Sequence, residues 1–326
     1  MLKFLNAEKK HQTAFKASSA YFSEPARMDG TYRNRSYSFM LPTTHAAENL
    51  FSTIRQSALD YFEQNGIHWH MLNHLCSSQV CCINFLFPFM DQPAALADLL
   101  HPIFPSLKRM LPLETPDQYV AFEWIGAENY LREKVRGTTP RTRGANFTSA
   151  DAMVMFERED GKQQIVLIEW KYTESYSSNS KKFSSSGTDR SLIYSHLYDH
   201  ADCPLDKSLL PHYDALFYEP FYQFMRQQFL ACEMEKAHEF GADVVSLLHI
   251  APAHNRQFST VTSPDLRSLG SSVTDVWKRL VKSSDRFTSV STEALFGNFP
   301  VSDHPDLASW WDYLNTRYPW VKEQAS

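Results

Sequence analysis

Two apolar runs, residues 152–156 and 165–168, flank the tetrapeptide Glu159-Asp160-Gly161-Lys162, and no other stretch of the chain restricts its fold as tightly. An Asp-Gly pair between β-prone runs is a strong hairpin signal, so residues 146–176 are expected to form two antiparallel strands. Asp151 opens the first strand, while Glu169 and Lys171 close the second, so all three lie at the open end of the hairpin. Side chains alternate between faces and directly opposed residues share one, which makes loop length decisive. A two-residue loop at Asp160-Gly161 would oppose Asp151 to Trp170 and turn Glu169 to the other face. A three-residue loop, Glu159-Asp160-Gly161 with Gly161 left-handed in a bulge, opposes Asp151 to Glu169 and keeps Lys171 on that face. The second arrangement is the expected one. Two carboxylates and an ammonium then converge at one strand end, where hard oxygen ligands suit Mg²⁺ or Mn²⁺. The competing expectation is a surface hairpin whose strand-end charges are solvated.

Asp151, followed after an apolar strand by Glu169-Trp170-Lys171, resembles the PD-(D/E)xK nuclease superfamily, with Ser149-Ala150 standing where the signature has Pro. The resemblance implies a restriction-endonuclease-like fold in which Asp151 and Glu169 hold a divalent metal and Lys171 orients or activates the attacking water. Members often add a carboxylate from the element before the hairpin. Glu123 is the choice here, because a carboxylate inside an apolar run needs a metal or a positive partner. A solvated position for Glu123 is the alternative. The stretches FEWIGAENYL, GANFTSADA, IEWKYTESY, EPFYQFMRQQ and HIAPAHN also look like a bacterial subgroup of restriction-endonuclease-like proteins, over residues 77–255.

With 32 Lys and Arg against 37 Asp and Glu, the net charge of −5 excludes uniform attraction to a polyanion. Any nucleic-acid surface must therefore be a local basic patch. The densest basic run is Arg132, Lys134, Arg136, Arg141 and Arg143, with Glu133 among them. It is expected to meet backbone phosphates through Arg141 and Arg143, or else to be plain solvated surface. Residues 175–191 are serine-rich and read as a mobile loop at the mouth of the site, with Lys181, Lys182 and Arg190 within reach of phosphate.

Residues 219–240 read as a helix apolar around most of its circumference, hence buried. Gln223 and Arg226 on it are expected to face substrate or brace the carboxylates, an internal ion pair of Arg226 with Glu219 or Glu233 being the alternative. Residues 242–251 read as a buried strand, and His249 near its end as a satisfied core histidine. Upstream, residues 1–43 read as an irregular arm, 46–65 as one helix stopped by Gly66, and 77–87 as a buried helix ended by Pro88. His68, His70, His74 and Cys76 are too loosely spaced for a zinc site. Residues 91–116 read as short helical pieces, and those after 256 as a helix around 272–282, a short strand at 287–290 and aromatic helical turns. The five cysteines form no CxxC pair and favour reduced thiols in the cytoplasm. No stretch is long and apolar enough for a membrane span.

The reading is an α/β, three-layer restriction-endonuclease-like core with a central mixed sheet and helical additions at both ends. Residues 1–116 form an N-terminal arm and helical region, 117–255 the nuclease core, and 256–326 a C-terminal α/β extension of the same domain. The expected function is a divalent-metal-dependent deoxyribonuclease of a restriction or genome-defence kind, using Mg²⁺ or Mn²⁺. Its partner is DNA, without a membrane, and a homodimer is left open. A non-cleaving nucleic-acid-binding protein on the same fold is the alternative.

Overall fold

Gly161 sits at φ +80°, and the Arg158 amide donates to the Lys162 carbonyl, so the turn is the three-residue loop that the parity argument favours. The structure is a computed structural model describing residues 3–134 and 141–322; Arg136 of the basic run lies outside the described residues. In chain order, α1 (Phe4–Ser18) leads to a small hairpin of β1 (Gly30–Tyr32) and β2 (Arg35–Tyr37). Then come α2 (Arg55–Gln64), α3 (Ser78–Leu86), α4 (Pro93–Leu100), β3 (Leu107–Leu111), β4 (Val120–Trp124), β5 (Ala150–Arg158) and β6 (Gln163–Trp170). Two helices, α5 (Ser191–Tyr198) and α6 (Phe221–Lys236), precede β7 (Val244–Ala251), and α7 (Val273–Leu280), β8 (Phe287–Ser291), α8 (Thr292–Phe296) and α9 (Ala308–Arg317) follow.

The central sheet has six strands in the order β3-β5-β6-β7-β8, with β4 also on β5. Both β3 and β4 run antiparallel to β5, at opposite halves of its length, and β5 runs antiparallel to β6. Parallel pairing joins β6 to β7 and β7 to β8, so the sheet is mixed. A parallel neighbour needs a long crossover, and α5 and α6 supply it between β6 and β7.

Alternation along the strands feeds two cores. Val154, Phe156, Val166, Ile168 and Trp170 face one layer with α3, α4 and α9. Met153, Met155, Ile165 and Leu167 face the other, with α6 and α7. Each fully buried Leu, Phe or Met side chain contributes on the order of 1.5–3 kcal/mol, so a sheet buried on both faces is held firmly in place.

Several expectations fall. The N-terminal segment is not irregular: α1 forms around Phe4, Glu8, Gln12 and Phe15, a buried stripe with polar members that apolar periodicity alone does not reveal. The expected helix at 46–65 is instead a tight helical turn at Thr43–Asn49 followed by α2, because the Asn84 side chain captures the Phe51 amide and interrupts the ladder. The span 91–116 holds a strand as well as a helix, and β3 places part of residues 1–116 inside the central sheet. The helix at Ser78–Leu86 is as expected, capped by Ser77 Oγ accepting from the Val80 amide at 3.4 Å. Among the described residues, no single helix is long and apolar enough to cross a membrane.

Candidate functional site

The registers place one polar residue from each of five strands in a single row across the sheet. Pairing of Ala152 with Ile168 continues to bring Asp151 opposite Glu169. Glu123 falls opposite Asp151 on the other side, between the pairs Phe122–Ala152 and Trp124–Ala150. Beyond Glu169 lies His249, and beyond His249 lies Ser289. The row therefore reads Glu123, Asp151, Glu169, His249, Ser289, with Lys171 two residues past Glu169 on the same face.

Backbone departures at the row re-aim its side chains. Glu123 has φ +51°, a left-handed conformation that a non-glycine residue adopts at a cost of about 1–3 kcal/mol. It breaks the alternation of β4, so that Trp124 packs with the α6 layer, its Nε1 donating to Glu239 Oε1 at 2.7 Å. At Asp151 the hairpin ladder ends: the Trp170 amide donates to Asp151 Oδ2 at 2.7 Å in place of the next rung.

These charges are buried, contrary to a solvated hairpin. Glu169 is 0% and Lys171 5% exposed. Glu169 Oε1 meets the Lys171 ammonium, and its Oε2 accepts from Gln227 Nε2. Glu123 accepts from Gln79 Nε2 at 2.7 Å and from Ser149 Oγ at 2.9 Å. Burial pushes the Glu123 carboxyl above its ordinary pKa, against those two hydrogen bonds. Asp151 is pushed well above the carboxylate range, first by burial and then by the neighbouring Glu169 charge, with Lys171 opposing. Burial also works against the Lys171 charge, yet Glu169 and its acidic neighbours outweigh it and raise the ammonium well above the ordinary lysine value.

A cavity of about 370 Å³ opens on the row, lined by Glu123, Asp151, Trp170, Lys171, Glu174 and Gln223 on the sheet and α6 side. His70, in the segment before α3, and Ser77, Ser78 and Gln79, at its start, line the other side. Of the expected residues, then, Asp151, Glu169 and Glu123 share the row, Lys171 flanks it against Glu169, and Gln223 faces the cavity. Arg226 does not: it donates to Thr148 Oγ1 at 3.2 Å and stacks over the Tyr222 ring at 4.6 Å.

Arg141 and Arg143 of the basic run are turned inward, contrary to a phosphate-facing role, whereas Arg132 and Lys134 are exposed. Arg143 bridges Glu114 at 2.6 Å and donates to Tyr61 Oη at 2.9 Å and to the Phe122 carbonyl. Arg141 donates to the carbonyls of Ile125, Gly126 and Ala127. These donors hold the loop after β4, because buried carbonyls without a ladder need partners, although Arg141 Nε itself meets no acceptor among the described residues. Lys181, Lys182 and Arg190 do not line the cavity, and Lys182 pairs with Asp214 at 2.8 Å.

Three contributors were missed. Gln227 sits one turn past Gln223, and only the helix phase against the sheet selects it. Gln79 and Glu174 carried no periodic signal beyond the helix start at Ser77. Among the described residues, no three His, Cys, Asp or Glu side chains are arranged to grip one ion together. The donor set fits Mg²⁺ or Mn²⁺ in another way, since Mg²⁺ is commonly held by one or two carboxylates, the remainder coming from water and substrate phosphate. The observation behind that fit is Glu169 Oε1, fully buried and met by no hydrogen bond, only by the Lys171 ammonium.

Over residues 9–319 the chain matches the family described as Restriction Endonuclease associating with ARP, and it belongs to that family. Comparison with curated proteins and with solved structures gave no match.

Proposed function

From membership of a restriction-endonuclease family, we propose that this protein is a divalent-metal-dependent deoxyribonuclease that hydrolyses phosphodiester bonds in genome defence. The observation that carries the reading is the sheet row that joins Glu123, Asp151 and the fully buried Glu169 beside Lys171, with Glu123, Asp151 and Lys171 lining one polar cavity. Carboxylates buried together in low dielectric repel one another and are desolvated. Such an arrangement is costly unless a cation is its purpose.

Asp151 and Glu169 would hold the metal, Mg²⁺ or Mn²⁺. When bound, such an ion polarises a phosphoryl oxygen and lowers the pKa of coordinated water. The remaining work falls to the chain itself. Lys171 donates to the attacking water and orients it toward phosphorus once Glu169 is engaged elsewhere. Gln227 fixes the Glu169 carboxylate, and Gln79 and Ser149 fix Glu123, so the acids need little rearrangement when charge develops. Gln223, at the cavity wall, is placed to contact the substrate backbone. Free thiols at all five cysteines suit a reducing cytoplasm.

The test is nicking of supercoiled plasmid DNA with Mg²⁺ or Mn²⁺ by the wild type and by Lys171→Ala, alongside a Mn²⁺ thermal-shift titration. Cleavage lost in Lys171→Ala, with a Mn²⁺-dependent rise in melting temperature in the wild type, supports the reading. Equal DNA retardation without cutting in both proteins would identify a non-cleaving binder. No melting shift and no DNA binding would reject both.

A further inference from the structure

His249 is placed where a core residue would be cheaper. Its neighbours on β7, namely Leu247, Leu248, Ile250 and Ala251, are apolar and buried. The imidazole is 2% exposed, stacked on Phe258 with centroids 4.8 Å apart and met edge-on by Phe224 at 5.3 Å. A phenylalanine or leucine would fill such a slot without a polar atom. Nδ1 lies 3.0 Å from Ser289 Oγ, but Nε2 is buried and has no hydrogen-bond partner among the described residues. An unpaired buried polar atom costs roughly 1–3 kcal/mol, so the histidine is not the satisfied core residue that its sequence context suggests.

What lies near that nitrogen decides its use. His249 is directly across from Glu169, and Lys171, the first residue past β6, donates its amide to the Ile250 carbonyl next to His249 and meets Glu169 with its ammonium. Burial and, after it, the Lys171 ammonium press the imidazole pKa down to about 3, so the ring is neutral. A neutral imidazole with hydrogen on Nδ1 presents a lone pair at Nε2. Lys171 carries three donors, of which one meets Glu169 Oε1. A buried ammonium with donors to spare and, among the described residues, a buried nitrogen with no partner therefore flank the same carboxylate, Glu169.

We propose that His249 is a positioning residue for Lys171, its Nε2 lone pair receiving the ammonium when Glu169 turns its carboxylate to a divalent cation. The inference rests on the nuclease reading and adds a step to it. With Glu169 engaged by the cation, Lys171 would lose its partner and swing into the cavity. His249 keeps the ammonium along the row, so that its remaining donors point to the attacking water. Ser289 holds Nδ1 from β8, and the two phenylalanines fix the ring plane.

Two substitutions separate this role from packing. His249→Phe keeps the aromatic stack and removes the acceptor, while His249→Gln restores an acceptor near the Nε2 position. The expected result is a kcat lower by about tenfold to a hundredfold in His249→Phe, with KM and the Mn²⁺ thermal shift close to wild type, a melting temperature at or above wild type, and most of kcat recovered in His249→Gln. A second readout is independent of turnover: in imidazole ¹⁵N spectra, the His249 signals, identified by their loss in His249→Gln, should report an Nδ1–H tautomer. Their Nε2 resonance should move upfield on adding Mg²⁺, and Lys171→Ala should abolish the movement. Full kcat in His249→Phe, failure of His249→Gln to recover it, or an Nε2 signal indifferent to Mg²⁺ overturns the inference while leaving the nuclease reading intact. Absence of cleavage by the wild type overturns both.

Discussion

Two regions of this molecule bury charge and treat it in opposite ways. Arg317 on α9 is 0% exposed and has no carboxylate partner among the described residues, yet its guanidinium is fully engaged. It donates to Gln12 Oε1 at 3.0 Å, to the Asn49 carbonyl at 2.7 Å, to Tyr313 Oη at 2.6 Å, to Asn49 Oδ1 and to the Leu75 carbonyl at 3.2 Å. Through Gln12, this clasp ties α1 to α9 and closes the two ends of the chain on one core. The carboxylate row, on the opposite face of the sheet, is left incomplete. Among the described residues, Glu169 Oε1 has only an ammonium against it, and Gln227 Oε1 and His249 Nε2 have no hydrogen-bond partner. A satisfied buried network fixes a fold, whereas a convergent unsatisfied one holds free energy back for a ligand. That difference teaches which buried polar cluster to read as architecture and which as function.

The contrast makes three measurable claims beyond those above. The largest concerns Asp151→Asn. Plasmid cleavage should fall by at least about 10³-fold, or about 4 kcal/mol of activation free energy. The metal-free melting temperature should hold or rise, because the amide keeps an acceptor for the Trp170 N–H and removes an acid whose ionised form burial and Glu169 disfavour. A melting temperature lowered as far as in a clasp variant would break the comparison.

Arg317→Ala should do the reverse. Removing the guanidinium strands the acceptors of Gln12, Asn49 and Leu75 in the core, at a cost of about 3–5 kcal/mol in urea unfolding. Cleavage per folded molecule should remain near wild type at low temperature. Activity lost ahead of structure would mean that the clasp belongs to the site.

The smallest effect is a pH dependence at Glu8 on α1, whose carboxylate accepts from Tyr172 Oη. Burial raises the Glu8 pKa in spite of that hydrogen bond. Folded and unfolded forms are both protonated below the ordinary glutamate value of about 4.3, so the Glu8 contribution is complete there. It is lost as pH rises through the raised folded value. Glu8→Gln keeps an acceptor for Tyr172 and has no proton to lose. Its stability relative to wild type should therefore grow as pH rises from acid to neutral in parallel urea titrations. A constant difference would show that Glu8 does not titrate differently on folding.

How far the sequence reaches depends on the distance between the residues being related. Asp151, Glu169 and Lys171 were legible because eight-to-nine-residue strands joined by three residues leave one register, and Gly161 in a left-handed turn selects it. Glu123 was legible as a buried acid from its apolar surroundings, though not its left-handed backbone. The helix of residues 4–18 was not, since its buried stripe includes Glu8, Gln12 and Lys16, whose partners lie elsewhere in the chain. Arg141 and Arg143 were legible as charge and misleading as contact, because a basic run looks the same whether it meets phosphate or buried carbonyls.

By itself, then, the sequence determined the hairpin, its parity and the alternation that splits the sheet's side chains into two cores. Those follow from covalent proximity and the two-residue period of a strand. Only the tertiary structure decided that Gln227 rather than Arg226 reaches Glu169, that His249 joins the row with an unpaired nitrogen, and that Arg317 closes the two ends. The rotation of a helix against a sheet, and the pairing of strands some 80 residues apart, are set by packing over the whole core. No local window contains that information.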